Sequence, residues 1–334
     1  MKPAILSQKL ATAFKSGIQL LIVSSPGIGK SAIVEQAVNN AALVTMHPAV
    51  SDPTDFKGMP AVIKAIGKSG QSFAEFLPFG NLRKLVEATE LTVCFIDDIG
   101  QAPHAVQAAL MQLIHAREVD GTKISDKVVF VGATNDSSHM AGVASILEPV
   151  KSRWNSIIHL EADAKGWRAW ALGAGIAPEV IAFIAFRPEL LNNFKATREL
   201  TNCPSPRTVE SLSKLIQAGL DDHELIAGAV GEGFAIEFNA FRKVWKSIPD
   251  LDAILAAPLS APVPSGDPSL IVALACALSY KATKANLPSF MAYLDRLPKE
   301  YEFLALSDAT ARDPKLLSTK SYTDWTLANQ AMFA

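Results

Sequence analysis

The stretch Ser24-Ser25-Pro26-Gly27-Ile28-Gly29-Lys30-Ser31 stands between an apolar run, Leu20–Val23, and a helical pattern that begins at Ser31. It keeps the spacing G-x-x-x-x-G-K-[ST] of a phosphate-binding loop at every position except the first, where Ser24 replaces glycine. Gly27 and Gly29 let backbone N–H groups turn inward around a β-phosphate, Ser25, Pro26 and Ile28 complete the loop, and the N-terminus of the following helix favours the anion. Lys30 would then reach the β- and γ-phosphates of ATP, and the Ser31 hydroxyl would ligate Mg2+. Taken alone, the stretch also reads as a plain glycine-rich strand-to-helix turn, and the Cβ of Ser24 has to fit where the pattern asks for none.

Two further strand ends carry polar side chains of the types this chemistry needs. Thr92–Ile96 is an apolar run that closes on Asp97-Asp98. Adjacent carboxylates at the exit of a buried strand are costly unless they hold a cation or move a proton. Asp97 suits a Mg2+ partner and Asp98 a group that orients and polarises an attacking water; a helix N-cap pair is the plainer alternative. Val128–Thr134 leads into Asn135, whose amide can bond both a γ-phosphate and the lytic water. Arg153 precedes a last apolar run, and Arg207, in Pro204-Ser205-Pro206-Arg207, opens a later helix; each by itself is an ordinary surface charge.

The elements that must hold these groups alternate through the first half of the chain. Strands are expected at Leu20–Val23, Leu43–His47, Thr92–Ile96, Val128–Gly132 and Ser156–Leu160, each a continuous apolar run of the kind a strand covered on both faces shows. Helical patterns at Ser31–Asn39, Leu82–Glu90 and Pro103–Ala116 separate them, so an α/β fold with a parallel sheet is expected. The Gly- and Pro-containing stretch from Pro53 to Pro78 reads as an inserted loop or hairpin. After Asp163 the strand signals stop, and Trp167–Ala174, Pro178–Phe186, Val209–Ala218, His223–Gly231 and Ile236–Trp245 read as helices. Trp167 and Trp170 are expected on the packed face of the first. Five prolines between Pro249 and Pro268 suggest a semi-rigid linker, followed by helices at Leu270–Lys281 and Pro288–Leu297. The expected division is 1–163, 164–248, a linker 249–268, and 269–334.

Composition narrows the classes. In 334 residues there are 31 Lys and Arg against 33 Asp and Glu, a net charge of −2, and no basic run interleaved with aromatics, so binding to nucleic acid is not expected. No apolar run approaches the roughly 18 residues of a membrane span. The first residues hold no signal-peptide core, and a cytoplasmic location is expected. Cys94, Cys203 and Cys276 are far apart and read as buried or half-buried thiols, and the six histidines show no i, i+4 metal pair.

The order of phosphate loop, Asp-Asp strand, strand-terminal Asn, arginine before the last strand and Pro-Arg opening a later helix resembles the AAA+ ATPases. More narrowly it resembles their MoxR-like branch, to which Ser51–Pro60, Ala102–Leu110 and Ala116–Val119 with Gly121 are also similar. The resemblance covers residues 15–215 and the remainder loosely. It implies a P-loop NTPase αβα sandwich with a five-stranded parallel sheet, followed by an all-α lid and a C-terminal helical extension. It gives Lys30 and Ser31 the Walker A roles, Asp97 the Walker B role, Asn135 that of sensor 1, Arg153 that of an arginine finger acting in trans, and Arg207 that of sensor 2. A homo-oligomeric ring, most naturally a hexamer, follows from the finger, and a von Willebrand factor A-type protein is the partner the branch implies. Lys57 and Phe79 are candidates for a ring pore, against ordinary loop packing.

Asp98 stands where the family carries Glu. One methylene fewer leaves the carboxylate about 1–1.5 Å short, a misplacement that can cost about 100-fold in rate. Two functions therefore remain: an ATP-driven motor that remodels a protein, and a nucleotide-switched assembly scaffold with little turnover. A DNA-acting relative is disfavoured by the charge balance.

Overall fold

The computed structural model describes residues 1–64, 72–119, 121–136, 146–195, 197 and 199–330. His139 lies outside them. The chain divides into two compact units, Met1–Ala162 with Phe194–Ala196, and Asp163–Asn193 with Thr197–Ala334.

The first unit runs α1 (Pro3–Lys15), β1 (Leu20–Ser24), α2 (Lys30–Val38), β2 (Ala42–Met46), α3 (Thr54–Lys57), β3 (Met59–Lys64), β4 (Ser72–Leu77), α4 (Gly80–Val86), β5 (Thr92–Ile96), α5 (His104–Ala116), β6 (Glu118–Val119), β7 (Thr122–Lys123), β8 (Val128–Asn135), α6 (Glu148–Lys151) and β9 (Ser156–His159). Five strands form one sheet in the order β2-β5-β8-β1-β9, every pairing parallel. Alternate residues of each central strand feed opposite cores. Leu21, Val23, Cys94, Ile96, Val128 and Phe130 pack with α3, α4 and α5. Leu20, Ile22, Val93, Phe95, Val129 and Val131 pack with α1 and α2. Burial on both faces is why the strands read as unbroken apolar runs.

The five expected strands are present within one or two residues, except that β8 continues to Asn135. The insertion is a short helix, α3, and the antiparallel hairpin β3–β4. Helix α1 adds to the expected set; its Leu6, Leu10, Ala13 and Phe14 recur at helical spacing and are buried. Arg117, left-handed at φ 52°, caps α5 and turns the chain into β6–β7. Its guanidinium donates to the Ser125 and Val128 carbonyls, both at 2.8 Å, and lies 5.6 Å over the Phe130 ring, tying that hairpin to the start of β8. Lys57 is exposed at the end of α3, and Phe79 is half-buried at the start of α4.

The second unit is helical: α7 (Ala164–Gly173), α8 (Pro178–Phe186), α9 (Pro206–Gln217), α10 (His223–Val230), α11 (Glu232–Lys246), α12 (Leu251–Ala256), α13 (Pro268–Lys281), α14 (Leu287–Leu294), α15 (Lys299–Arg312) and α16 (Lys320–Ala328). Helices α7 to α11 share one core and α12 to α16 another, and α13 serves both, Ala273 and Cys276 facing the first, Leu274 and Leu278 the second. That double burial accounts for its long apolar run. Among the described residues no helix is long and apolar enough to cross a membrane. Trp167 is buried, whereas Trp170 is 41% exposed, so only the first of the two marks the packed face.

Residues 249–268 depart from the expected linker. Helix α12 lies within them, and Ile254 and Ala261 are buried in the second core. The Tyr293 hydroxyl donates to the Pro262 carbonyl, and Arg296 donates to the carbonyls of Pro258 and Ala261. The prolines stiffen a stretch that side chains of the following helices hold down, so 249–268 is part of the helical unit.

Within this unit Arg168 on α7 donates to both oxygens of Asp308 on α15, at 2.7 and 2.5 Å, with 12% and 7% of the two side chains exposed. Burial pushes the Asp308 carboxyl above the usual carboxylate range even though Arg168 draws it down. Arg168→Met should therefore cost about 3–5 kcal/mol, since it strands a buried charge, and lower the melting temperature by about 10 °C at pH 7. Pairing it with Asp308→Leu should recover most of the loss. A carboxyl whose proton affinity is higher folded than unfolded favours folding as pH falls, so the single variant's deficit should shrink between pH 7 and pH 5. Thermal melts at both pH values check all three outcomes.

Candidate nucleotide-binding site

The loop 25–29 leaves the C-terminal end of β1, the side of an open parallel sheet on which ligands bind. Gly27 and Gly29 have φ of 79° and 100°, left-handed values that turn the chain tightly into α2. Lys30 is the first residue of that helix, so its side chain starts beside the exposed N–H groups of the first turn.

Register does the rest. β1 and β8 pair Ser24 with Asn135, and β5 lies on the other side of β8 with Ile96 against Gly132. The ends of three strands, 24, 97–98 and 135, therefore converge beside the loop. Gly132 is required at this junction, because a Cβ there would stand 2.7 Å from Ile99 Cδ1 and 2.8 Å from the Trp154 ring.

Lys30 is 7% exposed, and its ammonium donates to Asn135 Oδ1 at 2.7 Å and to Ser24 Oγ at 3.1 Å. Asn135 Nδ2 in turn donates to Asp98 Oδ1 at 3.3 Å. Ser31 Oγ donates to Asp97 Oδ2 at 2.8 Å, and the Asp98 N–H donates to Asp97 Oδ1 at 3.1 Å. Loop, β5 and β8 are thus linked by side chains from three parts of the sequence. A buried ammonium without acceptors would be costly; these two supply them.

Asp98 has φ 55° and ψ 42°, a left-handed conformation that few residues other than Gly, Asn and Asp adopt readily. It starts the turn Ile99–Gln101 and has no N-capping side-chain bond to that turn. Its carboxylate instead meets Asn135, a placement that the backbone turn sets as much as side-chain length.

Among the described residues no group of three or more His, Cys, Asp or Glu is placed to hold a metal by itself. The Ser31 hydroxyl and Asp97 carboxylate are nevertheless the hard oxygen donors that Mg2+ takes when phosphates and waters complete its shell.

Arg153 does not join this cluster. It follows α6 and precedes β9, at the edge where the strands begin, since Ser156 pairs with Leu20. Among the described residues its buried Nε has no hydrogen-bond partner. Arg207 belongs to the second unit, exposed in the first turn of α9. That helix is capped reciprocally, Ser205 Oγ accepting from the Thr208 N–H and Thr208 Oγ1 from the Ser205 N–H, with Pro206 at its first position. Ser24 joins the cluster through Lys30 although motif spacing gives it no role; its only sequence signal is that it breaks the pattern.

Residues 20–161 match the family model described as "ATPase family associated with various cellular activities (AAA)". No curated protein matches the chain. Among solved structures, the Thermotoga maritima RuvB Holliday junction branch migration motor is 18% identical, with 88% of this chain and 85% of that one covered and a TM-score of 0.40. NtrX from Brucella abortus in complex with ADP is 12% identical over 99% of this chain and 68% of that one, with a TM-score of 0.42. A putative ATPase from Cytophaga hutchinsonii is 14% identical over 90% and 79%, with a TM-score of 0.33. Likenesses this distant carry no functional argument. The stretch that matches this family model, residues 20–161, is the one that carries the five sheet strands, the loop and the strand-end carboxylates.

Proposed function

We propose that the chain binds ATP with Mg2+ and hydrolyses it within a homo-oligomer. One observation carries the reading: Lys30, Asn135 and Asp98 form a continuous hydrogen-bonded row beside the Ser31–Asp97 pair, all at the C-terminal edge of the sheet. The match of residues 20–161 to the AAA family supports it.

In this reading the amides of Ser25 to Gly29 cradle the phosphates, Pro26 and Ile28 shaping the loop, and Lys30 binds the β- and γ-oxygens. Ser31 and Asp97 would hold Mg2+, which would supply charge neutralisation for the phosphate oxygens. Asp98 orients the attacking water and takes up its proton, and Asn135 fixes water and γ-phosphate in line. The resemblance gives Arg207, in the first turn of α9, the sensor 2 role. Arg153 acts from a neighbouring subunit, which fits its position at the opposite edge of its own sheet. The motifs shared with the MoxR-like branch extend the reading to a ring, most naturally hexameric, that remodels a protein, with a von Willebrand factor A-type protein as partner. Lys57 and Phe79 then belong to the pore side of the ring.

A nucleotide-switched scaffold is the second reading, favoured specifically by the short side chain and left-handed backbone of Asp98. Phosphate release measured beside size-exclusion in ATP and in ADP separates the two. Turnover above buffer at concentrations that assemble supports the motor. ATP-dependent assembly without turnover selects the scaffold, and neither assembly nor turnover removes both.

A further inference from the structure

The residue that breaks the phosphate-loop pattern is tied into the site it opens. Ser24 is 4% exposed and ends β1. Its backbone is fixed by the pairing with Asn135 and by the Asp136 N–H, which donates to the Ser24 carbonyl at 3.0 Å. Its hydroxyl proton is committed to the Ser25 carbonyl at 2.8 Å, which turns the oxygen lone pairs towards Lys30 Nζ at 3.1 Å. A glycine could make neither side-chain bond.

Resting on the ATP-binding reading above, we propose that Ser24 is a positioning residue that holds the Lys30 ammonium in place for the β- and γ-phosphates. Lysine has three donors on a long flexible stem, and ordering that stem is an entropic cost of binding. The Ser24 hydroxyl supplies a second bond from a rigid strand end, so the ammonium is fixed between two adjacent strands. The oxygen is neutral and its proton points away, so it holds the ammonium without neutralising it. The serine therefore does a task that the loop's own glycines leave to backbone atoms.

The test is calorimetric titration of the full chain with MgATP, MgADP and AMP. Ser24→Ala and Ser24→Gly should bind MgATP and MgADP about tenfold more weakly than the natural chain, the loss of one hydrogen bond to a charged group. AMP, which lacks the phosphates Lys30 reaches, should bind unchanged. Ser24→Thr keeps the hydroxyl and suits a strand, so it should stay within about threefold of the natural chain. The sharpest expectation is that Ser24→Gly, which completes the motif, weakens binding. Variants that bind MgATP as tightly as the natural chain or tighter, or that lose AMP to the same degree, overturn the proposal. Failure of the natural chain itself to bind MgATP is a different result and removes the underlying reading.

Discussion

Lys30→Ala should weaken MgATP binding at least about 100-fold. The variant removes a cation that joins the loop to β8 and leaves Asn135 Oδ1 and Ser24 Oγ without their shared donor. Truncating a buried, hydrogen-bonded charge costs about 2–5 kcal/mol or more, and the missing attraction to the β- and γ-phosphates adds to that. Lys30→Arg should not restore affinity, because a planar guanidinium cannot sit where a compact ammonium bonds two strand ends. Calorimetric titration with MgATP decides it, with a melting curve to check folding. An affinity within about threefold of the natural chain would show that triphosphate is held elsewhere, and the proposed site would fall.

Arg153→Ala should leave MgATP affinity within a few-fold and lower phosphate release by about 10³-fold or more, the scale of an arginine finger. Arg153 stands just before β9, at the end of the sheet opposite the loop after β1, and the expected role is therefore one played towards a neighbouring subunit. Mixing supplies the decisive measurement. Lys30→Ala and Arg153→Ala subunits should each be inactive alone, but an assembly of both would contain junctions with an intact loop from one and an intact arginine from the other. Phosphate release should return on mixing. If Arg153→Ala releases phosphate normally, or if mixtures stay inactive, catalysis across a subunit boundary is ruled out for this residue.

Both expectations began as spacing in the sequence, and the structure altered the detail. The loop, the carboxylate pair and Asn135 were legible because each directly follows an apolar run whose type was plain. The length of Asp98, a concern on counting methylenes, looks different once its backbone is seen to be left-handed and its carboxylate to meet Asn135. The stretch 249–268 was misleading because proline content reports stiffness and says nothing of what packs on it. Helices α15 and α16 had no clear signal, since α15 buries Glu302 and Asp308 where a periodic pattern would place apolar residues. Glu302 accepts from Trp325 Nε1 at 2.5 Å and Asp308 from Arg168, partners 23 and 140 positions away that no local window contains.

The sequence by itself determined the five sheet strands, their order along the chain and the phosphate-loop pattern, because hydrophobic period and glycine placement act over a few neighbouring residues. Only the tertiary structure decided what Lys30 touches. Its acceptor on Asn135 is 105 positions away and comes within 2.7 Å because parallel register sets Ser24 and Asn135 side by side. Strand pairing is a long-range choice made by the whole sheet, and it is that choice which turned an apparent flaw in the motif, Ser24, into a second hold on the lysine.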